Sequence, residues 1–487
     1  MVDNKQDLVK SNPVWAFFDE ITRIPRPSKH EEKILKYLLD FAAQRGFQTK
    51  QDKVGDILMT VPPTKGCEAK EPIILQAHVD MVCEKNADRD FDFLKDPIDY
   101  YLKDGWVRAN GTTLGADDGI GVALALAIAD GGLKGTIAHG PLYCLFTVDE
   151  ETGLTGAYNV EADFLPAARL INLDSEDEGQ IFIGCAGGCT TRASLPIRKV
   201  ATPSGMLGIN LKLEGLLGGH SGGDIHLGRA NANKLLARFL RLAQDKCGLR
   251  LAEFNGGNLH NAIPREASAV CAVPMSRKED IRVELNCFIA DIEDEFRNVE
   301  PNIEFSLETA DAPEQLFADD FQHTLIDALL ACPHGVLEMS HTMEGLVQTS
   351  TNLASVRTTE ASVDVVTSQR SSVESGKLLA KSMVAATFNL AGALVQEAEG
   401  YPSWTPNPDS SLVKLACLTY SDLFNSDAQV LAIHAGLECG LFLDKKKGMD
   451  MISIGPTLRA VHSPDEAVDI ASVEKFWVFM LELLNRL

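Results

Sequence analysis

Four short apolar runs limit the fold more than anything else in the chain: PIILQAHV (72–79), PLYCLFTV (141–148), ARLINL (168–173) and MISIG (451–455). Each has the length of a strand and falls short of a helix. A strand with one wet face alternates apolar and polar residues, whereas a near-continuous apolar run is buried on both faces. Helical stretches lie between these runs. DGIGVALALAIADGG (118–132) reads as a helix that starts on small residues, and PVWAFFDEITRI (13–24) as another. In SKHEEKILKYLLDFAAQRG (28–46), Ser28 and Glu31 have the spacing of a capping box, and Gly46 ends the helix. Buried strands alternating with helices predict an α/β fold, a mostly parallel sheet covered by helices.

A chain of 487 residues exceeds one ordinary core. From about residue 190 to 400 the pattern changes to longer strands, such as GMLGINLKLEGLLGG (205–219), and an amphipathic helix, NANKLLARFLRLAQD (231–245). The simplest organisation is an α+β domain over 187–399 inserted into an outer domain made of 1–186 and 400–487. Within the insert, HNAIPREASAVCAVPMSR (260–277) and STNLASVRTTEASVDVVTSQR (350–370) share a loop, an apolar strand and a terminal Ser or Arg, the trace a duplication leaves. The C-terminal stretch returns to a strand, a loop and a long helix. Ser463, Pro464 and Glu466 have the spacing of its N-cap, N1 and N3 positions.

With 69 acidic against 45 basic residues, the formal charge is −24. Nucleic acid and anionic membranes attract basic surfaces, so neither is an expected partner. No run of 18 apolar residues occurs, and the N-terminus lacks the basic start and apolar core of a signal peptide. The expected location is the cytoplasm. The 11 cysteines are scattered; Cys185 and Cys189 form a C-x3-C without a second pair, which does not make a zinc finger.

Polar residues gather where the apolar runs end, the edge at which open α/β sheets bind ligands. His78 and Asp80 follow the first run, Asp117 and Asp118 precede a helix, Asp149, Glu150 and Glu151 follow the second run, Asp174 the third and His462 the fourth. Singly, each has an ordinary reading: a core histidine, a helix cap, a solvated turn. Together, two imidazoles and three or more carboxylates suit two divalent ions, zinc above all. One histidine and one terminal carboxylate per ion, with one carboxylate shared, completes such a pair. Asp80 is spaced to hold the second ring nitrogen of His78. Of the adjacent glutamates, one can ligate while the other moves a proton.

In this order, HVD, GADDG, DEETG, LDSED and GGHSGGDIHLGRANA resemble the co-catalytic zinc metallopeptidases, the family of peptidase T, aminoacylases and glutamate-releasing carboxypeptidases. The similarity spans the chain, and IFIGCAGG, GGNLHNAIPREA, TSQRSS and AIHAGLECG resemble that family's bacterial aminoacyl-histidine dipeptidases. The resemblance implies that 1–186 and 400–487 form the catalytic domain and 187–399 a lid. It implies His78 and Asp174 on one zinc, Glu151 and His462 on the other, and Asp117 rather than Asp118 bridging. Glu150 becomes the general base and Asp80 the orienting carboxylate. His220 becomes the donor to the substrate carbonyl, and Asn261 and Arg370 hold the substrate's carbonyl and carboxylate. No role falls to His226, His260 or His434.

The expected activity is that of a dinuclear zinc dipeptidase cleaving unblocked L-dipeptides, Xaa-His and β-alanyl-histidine included, with Co²⁺ or Mn²⁺ able to substitute. The rival activities are an N-acyl amino acid deacylase or a tripeptidase on the same scaffold, and a non-catalytic binding protein. A homodimer is the expected assembly. The long insert favours action of His220 within its own chain.

Overall fold

The four apolar runs are strands of one sheet. In the computed structural model, which describes residues 4–487, Leu142–Thr147, Ile73–His78, Arg169–Asn172 and Asp450–Ser453 lie side by side. All three pairings among them are parallel. Gln48–Gln51 and Ile57–Val61 extend one edge antiparallel, and Gln180–Cys185 and Gln429–Ile433 extend the other. The α/β class is as expected, but the sheet is mixed: its four central strands are parallel and the strands that flank them pair antiparallel. Every residue of Ile73–His78 is buried, as a strand covered on both faces requires. The helix Ala116–Leu133 packs on that strand and is buried almost all round. Its Ala and Gly residues keep it thin enough to lie inside.

Two expected caps are corrected. The helix after Ser28 runs Glu32–Arg45 and has no side-chain cap bond; Ser28 Oγ donates instead to Asp80 Oδ2 at 2.8 Å. Glu31 accepts from the backbone N–H groups of Lys29 and Asp149. At the other end, Ser463–Glu466 is a turn and the last helix starts later, at Ile470, capped by Asp469. Ser28, Glu31 and Glu466 make tertiary hydrogen bonds instead, and these outweigh about 1 kcal/mol of local capping.

The chain divides into two compact units. The first comprises the residues up to Gly184, Pro406–Ala432 and Leu437–Leu487; the second comprises Cys185–Thr405 and Ile433–Gly436. The short return at 433–436 lies beyond the expected insert of 187–399. It belongs to the second unit because Ala186 N donates to the carbonyls of Ile433 and Ala435, both at 3.0 Å.

The second unit is built on a nine-stranded sheet that holds two copies of one topology. Strand 206–214, helix 232–247, strands 250–256 and 267–274, helix 278–295 and strand 304–310 form one βαββαβ half. Strand 187–196, helix 319–331, strands 347–358 and 362–371, helix 374–390 and strand 394–397 form the other. In the sheet the first half runs fourth, first, third, second, and the other half mirrors it. The halves join where Asn255 and Gly256 pair with Arg357 and Val356. The two similar sequence segments contain the third strands of the two halves, so the pattern is a repeat of topology. Phe239, Phe288 and Phe305 fill the core of the first half, with ring centroids 5.3 to 6.1 Å apart.

Candidate active site

In the first unit, the strand ends bring the expected residues together. His78 Nε2 lies 3.0 Å from Asp117 Oδ1 and 3.7 Å from Asp174 Oδ1. His462 Nε2 lies 3.2 Å from Asp117 Oδ2 and 3.0 Å from Glu151 Oε2. Asp117 therefore turns one oxygen to each histidine. Asp118 turns away and accepts the N–H of Gly121 at 3.1 Å, as a helix cap does. Asp149 and His462 both take left-handed backbone, φ 48° and 62°, which aims the side chains beside them across the strand ends. The Asp117–Asp118 peptide is cis.

Buried polar groups hold this arrangement. Arg26 donates to the carbonyls of Val79, Asp80 and Gly115, tying the end of strand Ile73–His78 to the loop before Asp117. Gly115 has φ 68°, and a Cβ there would lie 2.6 Å from the Arg26 guanidinium. Asp80 accepts from Ser28 and from the N–H groups of Glu150 and Glu151 at 3.0 and 3.2 Å, so it fixes the glutamate pair. Its Oδ1 also lies 3.3 Å from His78 Nδ1, within electrostatic reach although not aligned for a hydrogen bond. Burial alone would raise the Asp80 carboxyl; His78, Ser28 and the Glu150 N–H bring it down to about 2.

The buried carboxylates act on one another. Burial pushes the Glu150 carboxyl well above the carboxylate range, and Asp174, Glu438 and Glu151 add to it. Burial, with Asp117 and Glu151 nearby, takes Asp174 up to about 7 against the pull of His78. Bonds to Asp117 and Glu151 carry His462 up to about 11. A buried cluster this rich in carboxylates favours protons, and for the same reason it favours cations.

The donors fit metal ions. In a tetrahedral site with bonds of about 2.0–2.1 Å, neighbouring ligand atoms stand about 3.3 Å apart, close to the nitrogen–oxygen separations of 3.0 to 3.7 Å seen here. Glu151 Oε1 is buried without a hydrogen-bond partner among the described residues, which leaves it available as a ligand. A second group, Glu31, Asp80 and Asp149, also has close carboxylates. It has no imidazole, and its carboxylates already accept backbone and hydroxyl bonds. It is a hydrogen-bonded support.

The second unit carries the other expected residues. His220 and Asn261 lie on a small ribbon: His220 pairs with Ala262, and Asn261 O accepts the N–H of Ser221 at 2.8 Å. His220 Nδ1 accepts from the N–H groups of Gly222 and Gly223 at 3.3 and 3.0 Å. Its proton must then sit on Nε2. Burial and the nearby Arg370 charge lower its pKa, so the ring is a neutral Nε2–H donor. Arg370 Nη2 lies 3.4 Å from that Nε2. Two N–H donors cannot satisfy each other, so each is left for an acceptor. His434, on the returning segment, meets Ser350 Oγ at 2.7 Å, and burial beside Arg370 takes it down to about 3. It is a neutral support.

Comparison with known proteins identifies the family. The model of peptidase family M20/M25/M40 matches residues 74–486. The chain belongs to that family. It is a metallopeptidase. It is 43% identical over 475 residues to the cytosol non-specific dipeptidase of Escherichia coli K12, covering 98% of this chain and 97% of the relative. The crystal structure of aminoacylhistidine dipeptidase from Vibrio alginolyticus superposes with a TM-score of 0.91 at 43% identity, covering 98% and 96% of the two chains. Aminopeptidase PepT from Bacillus cereus shares the fold, with a TM-score of 0.56 at 14% identity and 99% of both chains covered.

Two residues of this M20 peptidase escaped the sequence reading. Glu466 is fully buried and accepts the N–H groups of Leu114, Gly115, Ala116 and Asp117 at 2.7 to 3.3 Å. Its position four residues after His462 is the available signal, although the local pattern reads as a helix start. Glu438 lies buried in the AIHAGLECG motif, where its Oε2 accepts from Gln76 at 2.6 Å and Thr147 at 3.1 Å. Burial takes it to about 7. An acidic residue in an apolar motif was its signal. No described helix is long and apolar enough to cross a membrane.

Proposed function

We propose that this chain is a zinc-dependent dipeptidase of the cytoplasm that cleaves unblocked L-dipeptides, Xaa-His and β-alanyl-histidine among them, as a homodimer. One observation carries the reading: Asp117 turns its two oxygens to His78 and His462, each of which faces a further carboxylate. That suits a pair of ions sharing Asp117, with His78 and Asp174 on one and Glu151 and His462 on the other. The names of the Escherichia coli and Vibrio relatives support the substrate class.

Bound zinc would supply Lewis acidity to the scissile carbonyl and to the attacking water. The rest falls to the protein. Glu150 takes the water's proton and returns it to the leaving amine. The negative charge of Asp80, 3.3 Å from His78 Nδ1, favours the proton on that nitrogen and leaves Nε2 as the ligand. His220 donates from Nε2 to the carbonyl oxygen as charge develops there. Asn261 assists at the carbonyl, and Arg370 clamps the free carboxylate.

A substrate panel on metal-depleted and reloaded protein tests this. Chelation should abolish release of free amino acids from dipeptides, and Zn²⁺, Co²⁺ or Mn²⁺ should restore it. Faster turnover of N-acyl amino acids or tripeptides would favour the deacylase or tripeptidase reading. Full activity in metal-free protein would overturn the metal mechanism.

A further inference from the structure

Arg370 is held from one side by a residue that the mechanism above does not use. Its Nη1 donates to the Tyr401 hydroxyl at 2.7 Å. Its Nη2 lies near His220 Nε2, and its Nε is buried without a partner among the described residues. Arg370 as a whole is only 8% exposed. A guanidinium presents donors on a rigid planar fork, and a carboxylate is gripped by two neighbouring N–H groups on one edge. With Nη1 committed to Tyr401, the remaining edge is Nε with Nη2. A buried, unpartnered Nε on that edge is a donor awaiting an acceptor.

Tyr401 has little freedom to move. Its backbone N–H and C=O exchange hydrogen bonds with Gly188 at 2.9 and 3.1 Å, and Lys377 Nζ bonds its carbonyl at 2.8 Å. The ring lies over two glycines: a Cβ on Gly188 would come within 2.6 Å of the hydroxyl, and one on Gly436 within 2.7 Å of the ring. The phenol therefore reaches Arg370 at a fixed height.

We propose that Tyr401 is a positioning residue for specificity: it sets the roll of the Arg370 guanidinium so that the Nε–Nη2 edge receives the dipeptide's C-terminal carboxylate. The inference rests on the dipeptidase reading. Without the hydroxyl, Nη1 is freed, the guanidinium can roll, and the paired grip is lost.

The test compares a dipeptide with its C-terminal amide in the metal-loaded wild type and in Tyr401→Phe, Gly188→Ala and Arg370→Lys. In Tyr401→Phe, KM for the dipeptide should rise about tenfold, the scale of one hydrogen bond to a charged group. Its kcat should stay within about twofold, and the amide should be unaffected, since only uniform binding of the carboxylate is lost. Gly188→Ala, which displaces the hydroxyl, should copy this loss of preference and carries the test if the Phe variant does not fold. A merely structural tyrosine would lower kcat for both substrates alike, and that result overturns the proposal. So does an unchanged preference in Tyr401→Phe when Arg370→Lys has lost it. If the wild type does not prefer the dipeptide, or Arg370→Lys keeps the preference, the carboxylate role of Arg370 fails and takes the Tyr401 inference with it.

Discussion

Glu466 accepts the backbone N–H of Asp117 at 3.3 Å, while the carboxylate of that same aspartate faces His78 and His462. The loop from Leu114 to Asp117 is thus held from behind by one buried carboxylate and used from the front as the shared point of the cluster. Glu466→Ala would leave three buried N–H groups and one part-buried N–H without their acceptor. Each unsatisfied group costs about 1–3 kcal/mol, less where water enters. Urea unfolding of the metal-free variant should show a loss of at least about 3 kcal/mol, and metal titration should show weaker binding. Glu466→Gln keeps an acceptor oxygen and should fall between. An unchanged unfolding midpoint in the alanine variant would mean that other contacts hold the loop.

The adjacent glutamates should part company on substitution. Glu151 Oε2 faces His462, whereas Glu150 has its backbone fixed by Asp80 and its carboxyl buried beside the cluster. Glu150→Gln should keep near-normal metal content and lose at least about 10²-fold in rate, the scale of general acid–base catalysis. Glu151→Gln should lose metal. Elemental analysis beside initial rates decides this, and reversed phenotypes would exchange the two roles.

Metal affinity should rise with pH. In the metal-free protein His462 is raised from its ordinary 6.5 to about 11 by Asp117 and Glu151. A raised group stabilises the metal-free fold fully below about 6.5, and the contribution is lost as pH climbs through about 11. A metal ligand must be a neutral imidazole, so binding displaces this proton and tightens across that window. Competition with a chelator from pH 6.5 to 9 measures the trend. A flat profile would show that His462 is already neutral or does not ligate.

His220 is expected to serve its own chain. The second unit already holds two copies of one βαββαβ topology, so a single chain carries the doubled element that a shared arrangement would otherwise draw from a partner. Mixing His220→Ala chains with Glu150→Gln chains, each nearly inactive alone, should then leave activity low after subunit exchange. Recovery to a quarter or more of the wild-type rate would show that the sites are shared.

The sequence by itself determined the sheet and the kinds of donor at its edge. A short apolar run between turn signals and helical stretches reads as a covered strand, and the His, Asp and Glu residues just beyond four such runs then gather where parallel strands end. The tertiary structure decided which oxygen meets which nitrogen. Asp117 and Asp118 are the same residue side by side, and only the backbone turn into the helix sends one to the histidines and the other to Gly121. Ser28 and Glu466 sit in good local capping patterns, yet their partners are Asp80 and the loop 114–117. Tyr401 and Arg370 are 31 positions apart, with nothing local to mark the pair. Local patterns record energies of about 1 kcal/mol along the chain, while a buried acceptor facing several N–H groups outweighs them and leaves no periodic trace in the sequence.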